Sequence, residues 1–233
     1  MPDRHVFPLL VGGVLCVALL HAQAAPAPAA PAGVSAHPAS GKTGAGSVIH
    51  DPATYTRAQA DVFLARARQQ LVRSHPAAAA ADLREGAGTM EKLAADARGD
   101  DSVVLKREAK SLRDIAASVG AGRITTPAAL DAQLASARVV LAKHHLLAAA
   151  DAWARRDYAL AGAALAAGAR SVDTGLRAAG HATLADVQAA ARYGDGLAKR
   201  GASATEAGYE HARDAVAKGV EALESAVGSH RAA

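Results

Sequence analysis

Apolar residues recur along most of the chain at alternating spacings of four and three, the period of helices that bury one face against partners. The pattern is most developed over residues 127–156, where two apolar lines run side by side. One comprises Ala128, Ala132, Ala135, Val139, Ala142, Leu146, Ala149 and Trp153. The other comprises Leu130, Leu134, Ala137, Leu141, Ala148 and Ala152, roughly 130° round a helix that turns about 100° per residue. Asp131, Arg138, His145 and Arg156 fall in the gap between them. A helix with two apolar lines needs partners on two sides, so this segment is expected inside a bundle.

The flanking segments repeat the helical period. Ala60, Phe63/Leu64, Ala67 and Leu71 predict a helix over about 54–74, ended by Ser74-His75-Pro76. Proline suits the first turn of the next helix, predicted over 76–98 from Leu83, Gly86/Ala87, Met90, Leu93/Ala94 and Ala97. Gly99 is expected to close that helix and the Asp100-Asp101 pair to cap the third, which carries Leu105, Glu108/Ala109, Leu112, Ala116 and Val119. Thr126-Pro127 opens the two-lined helix, and Asp157 caps the one after it. The inner line of 158–179 (Tyr158, Ala161, Leu165, Gly168, Val172, Gly175 and Ala179) is mostly small, which predicts close backbone approach, most naturally to 127–156. Gly194, Gly201 and Gly208 continue such a line, while Ser203-x-x-Glu206 has the form of a capping box and predicts a break near 201–203 before a last helix to about 227. The fold class expected is all-α: an antiparallel helical bundle of six or seven Ala/Leu-rich helices without a sheet.

Composition supports that reading. Hydrophobic residues make up 51% of the 233 and aromatics only 3%, so the core is built of Ala, Leu and Val. Alanines bury little area each, which favours long helices in close contact. Residues 1–24 carry the pattern of a signal peptide: Arg4, an apolar stretch from Val6 to Leu20, and Ala22-Gln23-Ala24 as a small-x-small cleavage site. The apolar stretch, roughly 15 residues interrupted by Pro8, Gly12 and Gly13, falls short of the ~20 a bilayer span needs. Residues 25–50 predict an Ala/Pro/Gly linker and 51–230 the helical domain. The single cysteine, Cys16, lies in the signal segment, so the mature chain has no thiolate for disulfides or zinc. A net charge of +4 with interleaved signs and few aromatics argues against nucleic acid as a partner.

Leu141–Leu165, LAKHHLLAAADAWARRDYALAGAAL, resembles a segment of exported, all-helical bacterial proteins, most distinctly over roughly 130–180. The resemblance implies an exported helical protein and carries over no functional residues.

Adjacent His144 and His145 invite a metal or haem reading. Consecutive helical residues point about 100° apart, whereas a helical metal pair needs i,i+3 or i,i+4 spacing. Neither histidine has a His, Asp or Glu at that spacing, so a site would recruit His75, His181 or His211 from elsewhere. His144 shares a wheel face with Gln133, Asp151 and Arg155, which reads as a solvated stripe. Glu-x-x-His, C-x-x-C-H and G-x-S-x-G do not occur, and Asp100-Asp101 is accounted for by capping. No catalytic residue and no cofactor is therefore expected. Trp153, the only tryptophan, is expected either in the core near Tyr158 and Leu165 or as an exposed anchor for a partner. The leading functional expectation is a periplasmic or secreted, non-enzymatic bundle with an interaction surface for an envelope partner. The alternatives are a metal or haem binder using His144 and His145, and a basic amphipathic protein in peripheral contact with anionic membranes.

Overall fold

The computed structural model describes residues 59–200 and 205–232, with side chains to 229. The expected signal peptide and linker lie outside the described residues, as do 51–58, Gly201 and Ser203. The described residues form seven helices and no strand: α1 (Ala60–Val72), α2 (Pro76–Asp96), α3 (Asp100–Gly120), α4 (Pro127–Ala154), α5 (Tyr158–Ala178), α6 (Ala185–Arg200) and α7 (Glu206–Ala232). Sequence neighbours pack against one another as a bundle, α4 with α5 and α2 with α3 most extensively.

Side-chain caps set three of the helix starts. Thr126 Oγ1 accepts from Ala129 N at 3.2 Å with Pro127 in the first turn, and Asp157 Oδ1 accepts from Leu160 N at 3.1 Å. The break expected near 201–203 lies outside the described residues; α6 ends at Arg200 and α7 starts at Glu206, where Thr205 Oγ1 accepts from Gly208 N at 3.2 Å. The α2–α3 link departs from expectation. Gly99, at φ 57°, is itself the N-cap of α3, so Asp100 and Asp101 lie in the first turn and neither caps. A left-handed φ at that point suits only glycine.

The Leu130 line of α4 and the other line from Val139 on serve two separate cores, while Ala128 and Ala132, expected on the latter, are exposed. Leu130, Leu134, Ala137 and Leu141 join α1, α2 and α3 in one cluster with Leu64, Leu83, Met90, Leu105 and Leu112. Val139, Ala142 and Ala149 join α5, α6 and α7 in the other with Leu165, Val172, Val187, Val216 and Leu223. Ala148 and Ala152, expected on the line of Leu130, Leu134, Ala137 and Leu141, turn toward the core shared with α5, α6 and α7. An α-helix drifts by about 20° per heptad against a strict seven-residue repeat, so a line read over four turns migrates round the helix.

Helix α5 is the most enclosed element: every residue from Leu160 to Ala169 is buried. Its small residues let neighbours approach on three sides. A Cβ built on Gly168 would lie 3.3 Å from His145 Cβ and 3.4 Å from Ala142 O of α4, as the expected packing requires. The closest approach is elsewhere, against α6. A Cβ on Gly162 would fall 2.5 Å from Ala198 N and 2.6 Å from Gly194 O, and one on Gly194 would fall 2.7 Å from Gly162 O. Two glycines meet there backbone to backbone.

Candidate functional site

His144 and His145 are both buried, at 9% and 0% exposure, so the expected solvated stripe does not include His144. The first turn of α3 covers that point of α4: His144 Nδ1 lies 2.8 Å from Asp101 Oδ2. His145 Nε2 lies 3.2 Å from Asp61 Oδ2 on α1, and Ser171 Oγ of α5 donates to the same oxygen at 2.8 Å. The two rings, 5.8 Å apart between centroids and inclined at 56°, thus turn to different carboxylates on different helices. Among the described residues, no group of three or more His, Cys, Asp and Glu stands where it could hold a metal ion. His75 reaches only toward Gln70, 3.4 Å away.

His145 ends a buried polar row. Asp131, Arg138 and His145, seven residues apart, occupy the gap between the two apolar lines of α4 and are all buried. Arg68 Nε of α1 donates to Asp131 Oδ2 at 2.7 Å. Arg138 lies 3.5 Å from Asp131 Oδ1 through Nη2 and donates at 3.4 Å to the Thr174 carbonyl of α5. Burial holds the pKa of the Arg138 guanidinium below the ordinary arginine value, and the charges of Asp131 and Asp61 offset this only in part. The row lies where α1, α4 and α5 meet, so charged side chains fill the seam between the two cores.

His144 opens on a cleft of about 430 Å3 between the α2–α3 link and the C-terminal half of α4. Leu93, Ala97, Leu147 and Leu160 give it an apolar lining; Asp96, Arg98, Asp151 and Arg155 line it with charge. With a carboxylate as partner Nδ1 is the donor, which leaves Nε2 of His144 for whatever enters the cleft. Leu147 is 54% exposed there, one of the few large apolar side chains left in solvent.

Trp153 lies outside this cleft. It is half-buried against the second core, stacked on Tyr209 of α7 at 4.1 Å and 5° between ring planes, with Tyr158 inclined at 60° and 4.9 Å away. Tyr158 was an expected neighbour; Tyr209, more than fifty positions away in sequence, was not.

Asp101 and Asp61 are the residues that sequence reasoning missed. Asp101 sits at a helix start, where an acidic residue already has a local explanation, and its partner lies 43 positions away. Asp61 bonds residues 84 and 110 positions away. The available signal was the row itself, since charges repeating at seven in step with two apolar lines mark a buried seam. In comparisons with protein families, with curated proteins and with solved structures, nothing matches the chain.

Proposed function

We propose that this protein is an exported, non-enzymatic helical bundle that binds a partner at the cell envelope, and that the contact surface is the cleft beside His144. The observation that carries the reading is the combination of exposed Leu147, an apolar lining and flanking charges of both signs around an imidazole held by Asp101. A partner protein presenting an apolar side chain between polar groups fits that lining. No serine, threonine, cysteine, lysine or tyrosine lines the cleft for His144 to activate, which supports binding over nucleophilic catalysis. The signal-like pattern of residues 1–24 supports the address. No helix among the described residues is long and apolar enough to cross a membrane.

The test is site-directed photocrosslinking of the full chain in cells that export it. A photoreactive side chain at Leu147 should give a discrete adduct. The same group at Val72 of α1, 53% exposed and therefore equally accessible, should not. Identical adduct patterns from the two positions, or none from Leu147, would remove the cleft as the contact surface.

A further inference from the structure

Nε2 of His144 is an acceptor that the fold leaves unused. Nδ1 is the nitrogen held by Asp101 at 2.8 Å, and a bond to a carboxylate fixes the neutral ring with its proton on Nδ1 and a lone pair on Nε2. Nε2 makes no hydrogen bond or ion pair with the described residues, yet it is not one of the buried side-chain atoms that lack a partner, so it is accessible. The residue as a whole is only 9% exposed and lines the cleft of about 430 Å3, which is therefore the space that Nε2 opens on. The ring cannot turn away without breaking its bond to Asp101.

Leu93, Ala97, Leu147 and Leu160 give this acceptor an apolar surround. Arg98 and Arg155 line the same cleft as exposed side chains, and neither guanidinium enters an ion pair with the described residues. A guanidinium not held by a carboxylate is free to lie flat on the face of an aromatic ring. Simple ions suit the cleft badly. A carboxylate would meet the lone pair of Nε2 and three aspartates, while an ammonium would give up its hydration against leucines and face two guanidinium groups. The lining fits a flat apolar body that carries one N–H or O–H donor at its edge.

Resting on the reading that this cleft is the contact surface, we propose that the partner fills it with an aromatic side chain carrying its own donor, the indole of a tryptophan or the phenol of a tyrosine. The ring lies against the leucines, its N–H or O–H is donated to Nε2 of His144, and Arg98 or Arg155 covers the face left in water. Such side chains are the usual anchors of an interface because one end is apolar and the other makes a hydrogen bond. A cleft of this size holds either ring together with the backbone that bears it. Asp96 and Asp151, which line it without an ion-pair partner among the described residues, are acceptors for that backbone.

The test is titration of the purified, isotope-labelled full chain with N-acetyl-tryptophanamide and N-acetyl-tyrosinamide, followed by NMR. The controls are their N1-methyl and O-methyl forms, which keep the ring and lose the donor, and N-acetyl-leucinamide, which is apolar without a ring. At least one of the two donors should shift the amides of Ala97 and Leu147 saturably with a Kd below about 5 mM, and N-acetyl-leucinamide should not. Methylation of that donor should weaken it at least about threefold, the weight of one neutral hydrogen bond. In His144→Leu the donor and its methylated form should bind alike, which separates a lost hydrogen bond from added bulk. Leu147→Asp, at a position already 54% exposed, should weaken the donor as well and stands in if His144→Leu does not fold. Absence of saturable shifts at the cleft, equal binding of N-acetyl-leucinamide, or equal binding of the methylated form to the unaltered chain would overturn the proposal. A discrete photocrosslink from Leu147 in cells alongside such a result would keep the cleft as the contact surface and remove only its aromatic occupant.

Discussion

Gly162→Ala tests the backbone contact between α5 and α6. The added methyl would lie 2.5 Å from Ala198 N, where ordinary contact begins at 3.4 Å, so the helices must separate by about 0.9 Å at that point. The obstructing atoms are backbone, which cannot rotate aside as the end of a side chain can. Overpacking of this kind costs about 1–3 kcal/mol, while replacing a helical glycine by alanine returns about 1 kcal/mol. Gly88→Ala on α2 is the matched control, because a Cβ there meets nothing within 4 Å and only the propensity gain remains. Subtracting the two variants cancels that gain and isolates packing: Gly162→Ala should be about 1–3 kcal/mol less stable than Gly88→Ala, or about 2–12 °C lower in Tm for a domain of this size. Urea and thermal unfolding followed by far-UV circular dichroism measure both quantities. If Gly162→Ala stabilises as much as Gly88→Ala, the two backbones do not touch and the close-packing argument fails.

Three further outcomes are expected. Tyr209 has a buried hydroxyl without a hydrogen-bond partner, so Tyr209→Phe should be neutral or stabilising by up to about 1 kcal/mol in urea unfolding. Burial raises the Tyr209 pKa above the ordinary tyrosine value, with Arg213 pulling slightly the other way. The folded state therefore favours the neutral phenol, and the stability this contributes is present below about pH 10 and lost as pH rises through the folded pKa. Tyr209→Phe should show a shallower alkaline decline in unfolding free energy, and an unchanged decline would assign it to other groups. Trp153 should emit between the fully buried and fully exposed limits, and Trp153→Ala should cost about 2–3 kcal/mol, below the full-burial range because the ring is half-buried; near-wild-type stability would mean the stack on Tyr209 contributes nothing. N-terminal sequencing of the exported protein should begin at Ala25.

What the sequence made legible was local. The Leu130–Leu141 line of α4 and the caps at Thr126 and Asp157 each follow from spacing or from a residue type acting within one turn. What it hid was non-local. Gly162 lies off the heptad line drawn through α5, because that line assumes one partner, and α5 packs against α4, α6 and α7 at once. His144 appeared solvated because its wheel neighbours Gln133, Asp151 and Arg155 are indeed exposed, yet the first turn of α3 crosses α4 at that one residue. Glu108 shows the same limit. It was placed on the core line of α3, and nothing in its neighbourhood along the chain shows that Ser136 of α4 donates to its carboxylate.

The buried row on α4 leads to the last prediction. Arg138 is 2% exposed and faces Asp131 across 3.5 Å, with the Asp61 carboxylate also acting on it. Replacing it by methionine keeps much of the volume and removes the cation, leaving Asp131 to Arg68 alone, whose side chain is 45% exposed and screened by water. A buried carboxylate stripped of every partner costs about 3–5 kcal/mol, and Asp131, which keeps Arg68 Nε at 2.7 Å, should cost about 1–3 kcal/mol. Adding Asp131→Ala to Arg138→Met removes the stranded charge, and Arg68 can turn outward. Asp61 keeps its bonds to His145 and Ser171, so the second change creates no new orphan there. The double variant should therefore be more stable than Arg138→Met by about 1–3 kcal/mol, even though Asp131→Ala alone destabilises by stranding Arg138. A double-mutant cycle in urea reads that sign reversal directly. Additive losses would show that the two side chains stabilise the bundle separately, through packing, and that charge pairing does not hold α1, α4 and α5 together along this seam.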